Sequence, residues 1–352
     1  MSFTAQELAN ISNAALDFYV KGKSIEQKIQ EKPLLSKLTS KQKTFPGGKE
    51  NIRINVKGQH SVLLQGYSHD DTANYQNPAN IKQAVYPWKE LHSGIEITWT
   101  ELKKDGISVS DDNSTSDHNG AEMHRIEKLL DDKLSDMAES WAENFDVMLH
   151  KDGTQDNKEV PGVFSFLLAI PSAAGTTAGI DRTANTWWRN RANEDINSAY
   201  LTGGAINAAT ASNQYLVTVL QDEWRQVRRY GGRTDLILMG SDAIQAYEAE
   251  LRSKGNYSDK GFAANGQDAS IGDLAFKNVP VFYDPQLDDQ GLSKAILMLD
   301  TKHLYLNVMD GEDKRTHSPT RPAEKYAMYR SMTWTGGMIC DQLNAQGYYT
   351  IA

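Results

Sequence analysis

Between Ala121 and His150, large apolar side chains return every three or four positions: Met123, Ile126, Leu130, Leu134, Met137, Trp141, Phe145 and Met148. That spacing lines one face of an α-helix, and about 30 residues at about 1.5 Å each make a rod of roughly 45 Å. A rod longer than a small domain is wide imposes an elongated architecture on whatever packs against it. Ser116 and Asp117 are N-cap candidates, and Gly153 in "HKDG" marks the stop, so the helical element is placed at 117–153. Its carboxylates read as a solvated face opposite the apolar stripe, because no Glu-x-x-His pair accompanies them.

Two segments before this helix alternate with a period of two. "NIRINVKG" puts Ile52, Ile54 and Val56 on one side, and "GIEITWTEL" does the same with Ile95, Ile97 and Trp99. They are expected to be the two arms of one long hairpin occupying 50–107, joined by nearly forty polar residues. A tight turn needs only a few residues, so a connection of that length is expected to be functional. The first 49 residues are rich in Lys, Gln and Ser and have too few apolar positions for a core of their own, which predicts an arm.

After the long helix the chain alternates helix and strand. "NQYLVTVLQDEWRQVRRYGG" predicts a helix ending at glycine, "TDLILMG" a buried strand, and "SDAIQAYEAELRSKG" a helix capped by Ser241 or Asp242. "NVPVFYD", "KAILMLD" and "LYLNVM" read as further strands, and the C-terminal stretch from Lys325 as long strands returning to the first lobe. The fold class is therefore α+β. Its expected parts are an arm at 1–49, a hairpin excursion at 50–107, a first lobe at 108–215, an α/β lobe at 216–300 and returning strands at 301–352.

A chain of 352 residues with a single cysteine, Cys340, has no internal disulfide and no thiolate zinc site. A formal charge of −9 disfavours tight nucleic-acid binding, since a surface that repels phosphates gains nothing from counterion release. No basic n-region followed by an apolar stretch opens the sequence, and no run of about 18 apolar residues occurs, so synthesis and residence in the cytoplasm, with no membrane partner, are expected.

The chemistry-bearing motifs are sparse. "TDLILMGSDAIQ" has the strand–Gly–helix order of a nucleotide-binding turn but only one glycine, and there is no G-x-S-x-G around Ser241. His69, Asp70 and Asp71 stand together in a polar loop and cannot by themselves enclose a cation. No catalytic residue, metal ligand or cofactor site is assigned, and no enzymatic activity is expected. The remaining conspicuous stretch is "GIDRTANTWWRNRA", where Trp187 and Trp188 lie among Arg182, Arg189 and Arg191. Tryptophan beside arginine is the combination enriched at interface hot spots.

The order of parts, with "YPWKELHSGIEITWTELKKDGI", "GIDRTANTWWRNRA" and "AILMLDTKHLYL", resembles the major capsid proteins of tailed bacteriophages, which have the Hong Kong 97-type shell fold. The resemblance implies an N-terminal arm, an extended loop reaching over a neighbouring subunit, a spine helix in a peripheral domain, and an axial domain. It implies a virion protein that forms pentamers and hexamers of an icosahedral head around double-stranded DNA. The implied partners are copies of itself, a separate scaffolding protein, a portal, a decoration protein, and packaged DNA touched weakly and non-specifically.

On this reading Trp187, Trp188, Arg182, Arg189 and Arg191, with Tyr86 and Trp88, belong to subunit contacts. Exchange of Trp188 for alanine should then impair shell formation more than folding. A covalent cross-link of the kind some members form would use Lys82 or Lys89 with Asn344. Two other functions remain open: an α/β enzyme with a small ligand at the end of strand 235–239, and a tail or adhesive phage protein.

Overall fold

Leu34 and Leu38, four apart in "PLLSKLTS", are both fully buried, which makes helix α1 (Pro33–Ser40) the first core element. The computed structural model describes residues 30–48, 50–58, 60, 62, 64–72, 74–77, 80–104, 120–193, 205–213, 215–253, 274–317 and 327–352. After α1 come β1 (Lys43–Phe45), β2 (Asn51–Lys57), β3 (Ile81–Pro87), β4 (Lys89–Thr98), α2 (Trp99–Lys104) and the long helix α3 (Gly120–Leu149). The middle holds β5 (Thr176–Thr177), β6 (Ile180–Asp181), β7 (Arg191–Asn193), α4 (Tyr215–Arg229), β8 (Leu236–Met239) and α5 (Ser241–Ser253). The rest is β9 (Ala275–Phe276), β10 (Val279–Tyr283), α6 (Pro285–Asp289), β11 (Ala295–Leu299), β12 (Leu304–Met309), β13 (Arg315–Thr316), β14 (Ala327–Cys340) and β15 (Gly347–Thr350).

Helix α3 spans 30 residues, as the periodicity predicted, and its described half buries Met137, Trp141, Phe145 and Leu149, each four residues from the last. Each such side chain contributes about 1.5–3 kcal/mol through burial. Trp141 tilts onto Phe145 at 4.6 Å between centroids, and Phe145 meets Trp334 of β14 at 5.0 Å, so an aromatic column joins helix to sheet. The helix ends at Leu149, and Gly153, with φ +86°, serves the turn beyond it. The cap candidates Ser116 and Asp117 lie outside the described residues.

The hairpin expectation was half right. β2 pairs with β3 in antiparallel register from Asn51↔Pro87 to Lys57↔Ile81, whereas β4 pairs with β14 over ten positions, from Thr98↔Ala327 to Lys89↔Gly336. The excursion is thus residues 58–80, and "GIEIT" belongs to the main sheet, ordered β1-β12-β14-β13 with β4 also on β14. Trp99 opens helix α2 and does not extend the strand. Period-two alternation shows that a segment is a half-buried strand and not which strand it meets.

A second sheet, ordered β7-β15-β11-β8-β10-β9, forms the α/β lobe. Its central strands are apolar at every position because both faces are covered. Leu236, Leu238, Leu297 and Leu299 point into the core shared with α1 and α3; Ile237, Met239, Ile296 and Met298 point into the core under α4 and α5. One strand thereby feeds two cores.

Two domain boundaries shift accordingly. The α/β lobe of 216–300 also takes β7 and the C-terminal β15, which pairs with β11, so of the expected returning segment β12, β13 and β14 join the first sheet and β15 does not. The second half of the expected arm is not an arm. α1 is buried, and β1 adds to the first sheet in parallel with β12. The first part of the expected arm, residues 1–29, lies outside the described residues.

Candidate assembly interface

The root of the excursion is packed into the core. Val56, Ala84 and Tyr86 are buried, Tyr86 packs edge-on to Phe166 at 5.8 Å, and its hydroxyl donates to the Cys340 carbonyl. Burial, reinforced by Cys340 and Asp341, holds the Tyr86 phenol far above its ordinary range. Val85 N–H bonds to the Ala178 carbonyl at 2.9 Å. Gly58, where the chain leaves β2, lies against the Trp187 indole: a Cβ there would come within 2.5 Å of the ring, so only glycine fits beside it.

Beyond that root the polarity is inverted. Leu64 and Tyr75 are 103% and 93% exposed, and Val62, Tyr67 and Ile81 are each 65% exposed. The loop's polar groups meanwhile bond to one another. Ser68 N–H donates to Asp71 Oδ2 at 2.9 Å, Asn74 N–H to Gln65 Oε1 at 3.1 Å, and the Gln65 amide to the Thr72 carbonyl at 3.3 Å. Several of the described loop's polar groups thus bond to one another while leucine and tyrosine stay uncovered, the kind of apolar patch that marks interaction sites. His69, Asp70 and Asp71 are exposed here, with Asp71 used in the turn.

Within the tryptophan–arginine cluster, Trp188 and Arg182 are buried inside the subunit and Arg191 is spent on an internal partner. Trp188 is 2% exposed, and its Nε1–H donates to the Thr177 carbonyl at 3.0 Å. Arg182 is buried, its guanidinium over Gly175. Arg191 makes two bonds to Glu223, at 3.0 and 2.8 Å; Glu223 is fully buried and also accepts from Tyr349 at 3.0 Å. A bidentate arginine on a buried carboxylate ties β7 to α4 within one subunit. Tyr86 is likewise core. Arg189, which donates to the Arg182 carbonyl at 2.8 Å, remains half-exposed, as do Trp187 and Trp88.

A cleft of about 470 Å³ opens beside the root, lined by Lys57, Trp187, Tyr230, His303, Asp341 and Asn344 among others. His303 Nδ1 lies 2.6 Å from Asp341 Oδ1, and this bond raises the imidazole pKa above its ordinary value despite partial burial. Asn344 is in the cleft, but the lysine there is Lys57; exposed Lys82 lies on β3 and Lys89 on β4, and neither lines it. Cys340 is fully buried, and burial pushes its thiol well above the usual range, as expected of a packing residue.

The strand–Gly–helix turn at Gly240 offers no anion site, because the chain fills it. Ser241 N–H donates to Asp288 Oδ1 at 2.9 Å, and the Asp242 and Ala243 amides donate to the Ser293 carbonyl at 3.1 and 3.2 Å. Ser241 and Asp242 therefore lie inside α5, whose cap comes from elsewhere in the chain. A Cβ on Gly240 would sit 2.3 Å from the Ser293 carbonyl oxygen. Gly240→Ala is expected to destabilise the protein by about 1–3 kcal/mol, measurable as a lowered urea midpoint at unchanged slope.

Sequence reasoning missed the buried carboxylates. Glu250 of α5 accepts from the Leu216 and Val217 amides at 2.8 and 2.9 Å, capping α4 from outside; Glu223 anchors Arg191. The only available signal was a glutamate on the apolar side of each helix.

The architecture is an elongated helix laid on a mixed sheet, a second doubly covered sheet and a loop rooted between Tyr86 and Trp187. Comparison with solved structures agrees over nearly the whole chain. The cyanophage A-1(L) capsid asymmetric unit matches with a TM-score of 0.62 at 14% identity, covering 96% of this chain and 98% of that one. The capsid of a native GTA particle matches with a TM-score of 0.53 at 13% identity, covering 96% and 98%. The capsid of Myoviridae phage XM1 matches with a TM-score of 0.51 at 13% identity, covering 99% of each chain. The protein has the Hong Kong 97-type capsid fold. No family model matches the sequence, and no curated protein matches it.

Proposed function

We propose that this chain is a major capsid protein that assembles through pentamers and hexamers into the icosahedral head of a tailed phage around double-stranded DNA. The observation that carries this reading is the excursion at 58–80: a root packed into the core, several polar bonds within the loop and uncovered leucine and tyrosine side chains. The likeness to assembled phage shells supports it. Closed rings of identical subunits need heterologous contacts, and a loop that buries itself on the next copy supplies one per subunit. Half-exposed Trp187, Arg189 and Trp88 at the loop root are proposed to border that contact. The role is structural and non-enzymatic, and the place of action is the virion, after synthesis in the host cytoplasm. No helix among the described residues is long and apolar enough to cross a membrane.

A net charge of −9 suits an inner wall along which DNA must slide. A separate scaffolding protein, a portal and a decoration protein complete the proposed partners. A lysine–asparagine cross-link through Lys82 or Lys89 and Asn344 would show as covalent oligomers in a boiled, denatured sample. Negative-stain microscopy of the expressed chain, with and without a candidate scaffold, should show hollow icosahedral particles. A tight, protease-resistant monomer at high concentration would overturn the reading, and trimers or tubes would redirect it to a tail or adhesive protein.

A further inference from the structure

At the C-terminal end of the long helix, Asp146 and His150 face Asp284, the residue before α6, and all three side chains are fully buried. They are the one trio among the described residues whose ligand-type atoms lie within 4.8 Å of each other. The ring of His150 is nevertheless already engaged on both sides. Nδ1 lies 2.8 Å from the Asp146 carbonyl, which can only accept, so Nδ1 carries a proton. Nε2 lies 2.8 Å from Asp284 Oδ2, and that bond needs a second proton, on the ring or on the carboxyl. Asp284 is held in place by accepting from Gln286 N–H at 3.1 Å as the cap of α6. The His150–Asp284 pair therefore keeps a proton in the core.

Asp146 is the anomaly. No donor reaches either of its oxygens with hydrogen-bonding geometry, although the residue is fully buried. The groups that act on it are His150, Asp284, Lys32 and the Leu35 amide in the first turn of α1. An ionised carboxylate in such a place is far more costly than a neutral carboxyl.

The geometry points to a proton-operated latch: uptake of a proton by the Asp146 carboxyl secures α1 and α6 against the end of the long helix, and its loss loosens them. Burial pushes the Asp146 pKa up to about 6, against the opposing pull of His150 and Lys32. For His150, burial alone would lower the pKa, but the bond to Asp284 and the two carboxylates outweigh it and raise it. Both folded-state values lie above their unfolded ones, so the sign is the same for each. The stabilisation is complete at acid pH, and the Asp146 share is lost as pH rises through about 6. This runs opposite to the usual behaviour of a paired carboxylate.

Hydrogen exchange on the full chain, read in peptides covering 33–40 and 285–290 and corrected for the intrinsic rate, tests the latch. Protection should rise about tenfold or more from pH 7.5 to 5.0. Asp146→Asn, neutral at both values and nearly the same shape, should remove most of that dependence. Infrared difference spectra of the wild type across the same range should show a protonated buried carboxyl appearing, a readout that survives if the variant fails to fold. Protection that is flat or falls on acidification, or an Asp146→Asn variant that keeps the wild-type profile, would overturn the proposal. So would zinc-dependent protection at pH 7.5 that Asp146→Asn abolishes, since it would make the trio a cation site.

Discussion

Trp188→Ala is expected to cost the subunit its fold before it costs the shell its contacts. The indole is enclosed by the core that also holds Tyr86, Phe166 and Trp334, and its N–H is the hydrogen-bond partner of the buried Thr177 carbonyl. Removing it opens a cavity and orphans that acceptor, a loss of about 3–5 kcal/mol, a large share of a typical stability of about 5–15 kcal/mol. Denaturant unfolding of the unassembled protein should register it as a markedly lower midpoint. Trp187→Ala should be milder, because that ring is only partly buried and stacks edge-on to Trp188 at 5.8 Å. A Trp188→Ala subunit that unfolds at the wild-type midpoint yet forms no particles would restore the view of Trp188 as a subunit contact.

The opposite split is expected from the loop. Replacing Leu64, Tyr67 and Tyr75 together by serine removes side chains that touch solvent in the single subunit, so the unfolding midpoint should hardly move. If a neighbouring copy covers them, the apolar area is buried only on assembly. Particle yield by sedimentation should then fall by about tenfold or more, because every subunit loses the same contact. Wild-type yields from the triple variant would remove the main support for the loop as the assembly element. Together the two variants separate folding from assembly, which the adjacent positions of tryptophan and arginine in sequence do not.

Much of the architecture was legible in the chain. The stripe Met137, Trp141, Phe145 is periodic because a helix must bury one face, and that periodicity is a local property. The same holds for β2, for the buried strands β8 and β11, and for a polar connection too long for a turn. Pairing was not legible, since "NIRINVK" and "GIEIT" carry the same alternation, and only the meeting of β4 with β14 decides that they belong to different sheets. Polarity misled in the tryptophan–arginine segment. Arg191 looks like a surface residue until Glu223, 32 positions away, is found buried beneath it.

The acid–histidine cluster was equally hidden. Asp146 and His150 sit one helical turn apart, but their third member, Asp284, lies 134 residues from His150. By itself the sequence determined most of the segments that are helix or strand, which of their faces are apolar, and that the connection after Lys57 is too long for a turn. The tertiary structure alone decided which charges are enclosed, which tryptophan is core, and where the uncovered apolar surface lies. Propensity and periodicity act over a few neighbouring residues, whereas desolvation depends on every chain segment that comes to rest on a group, however distant in sequence.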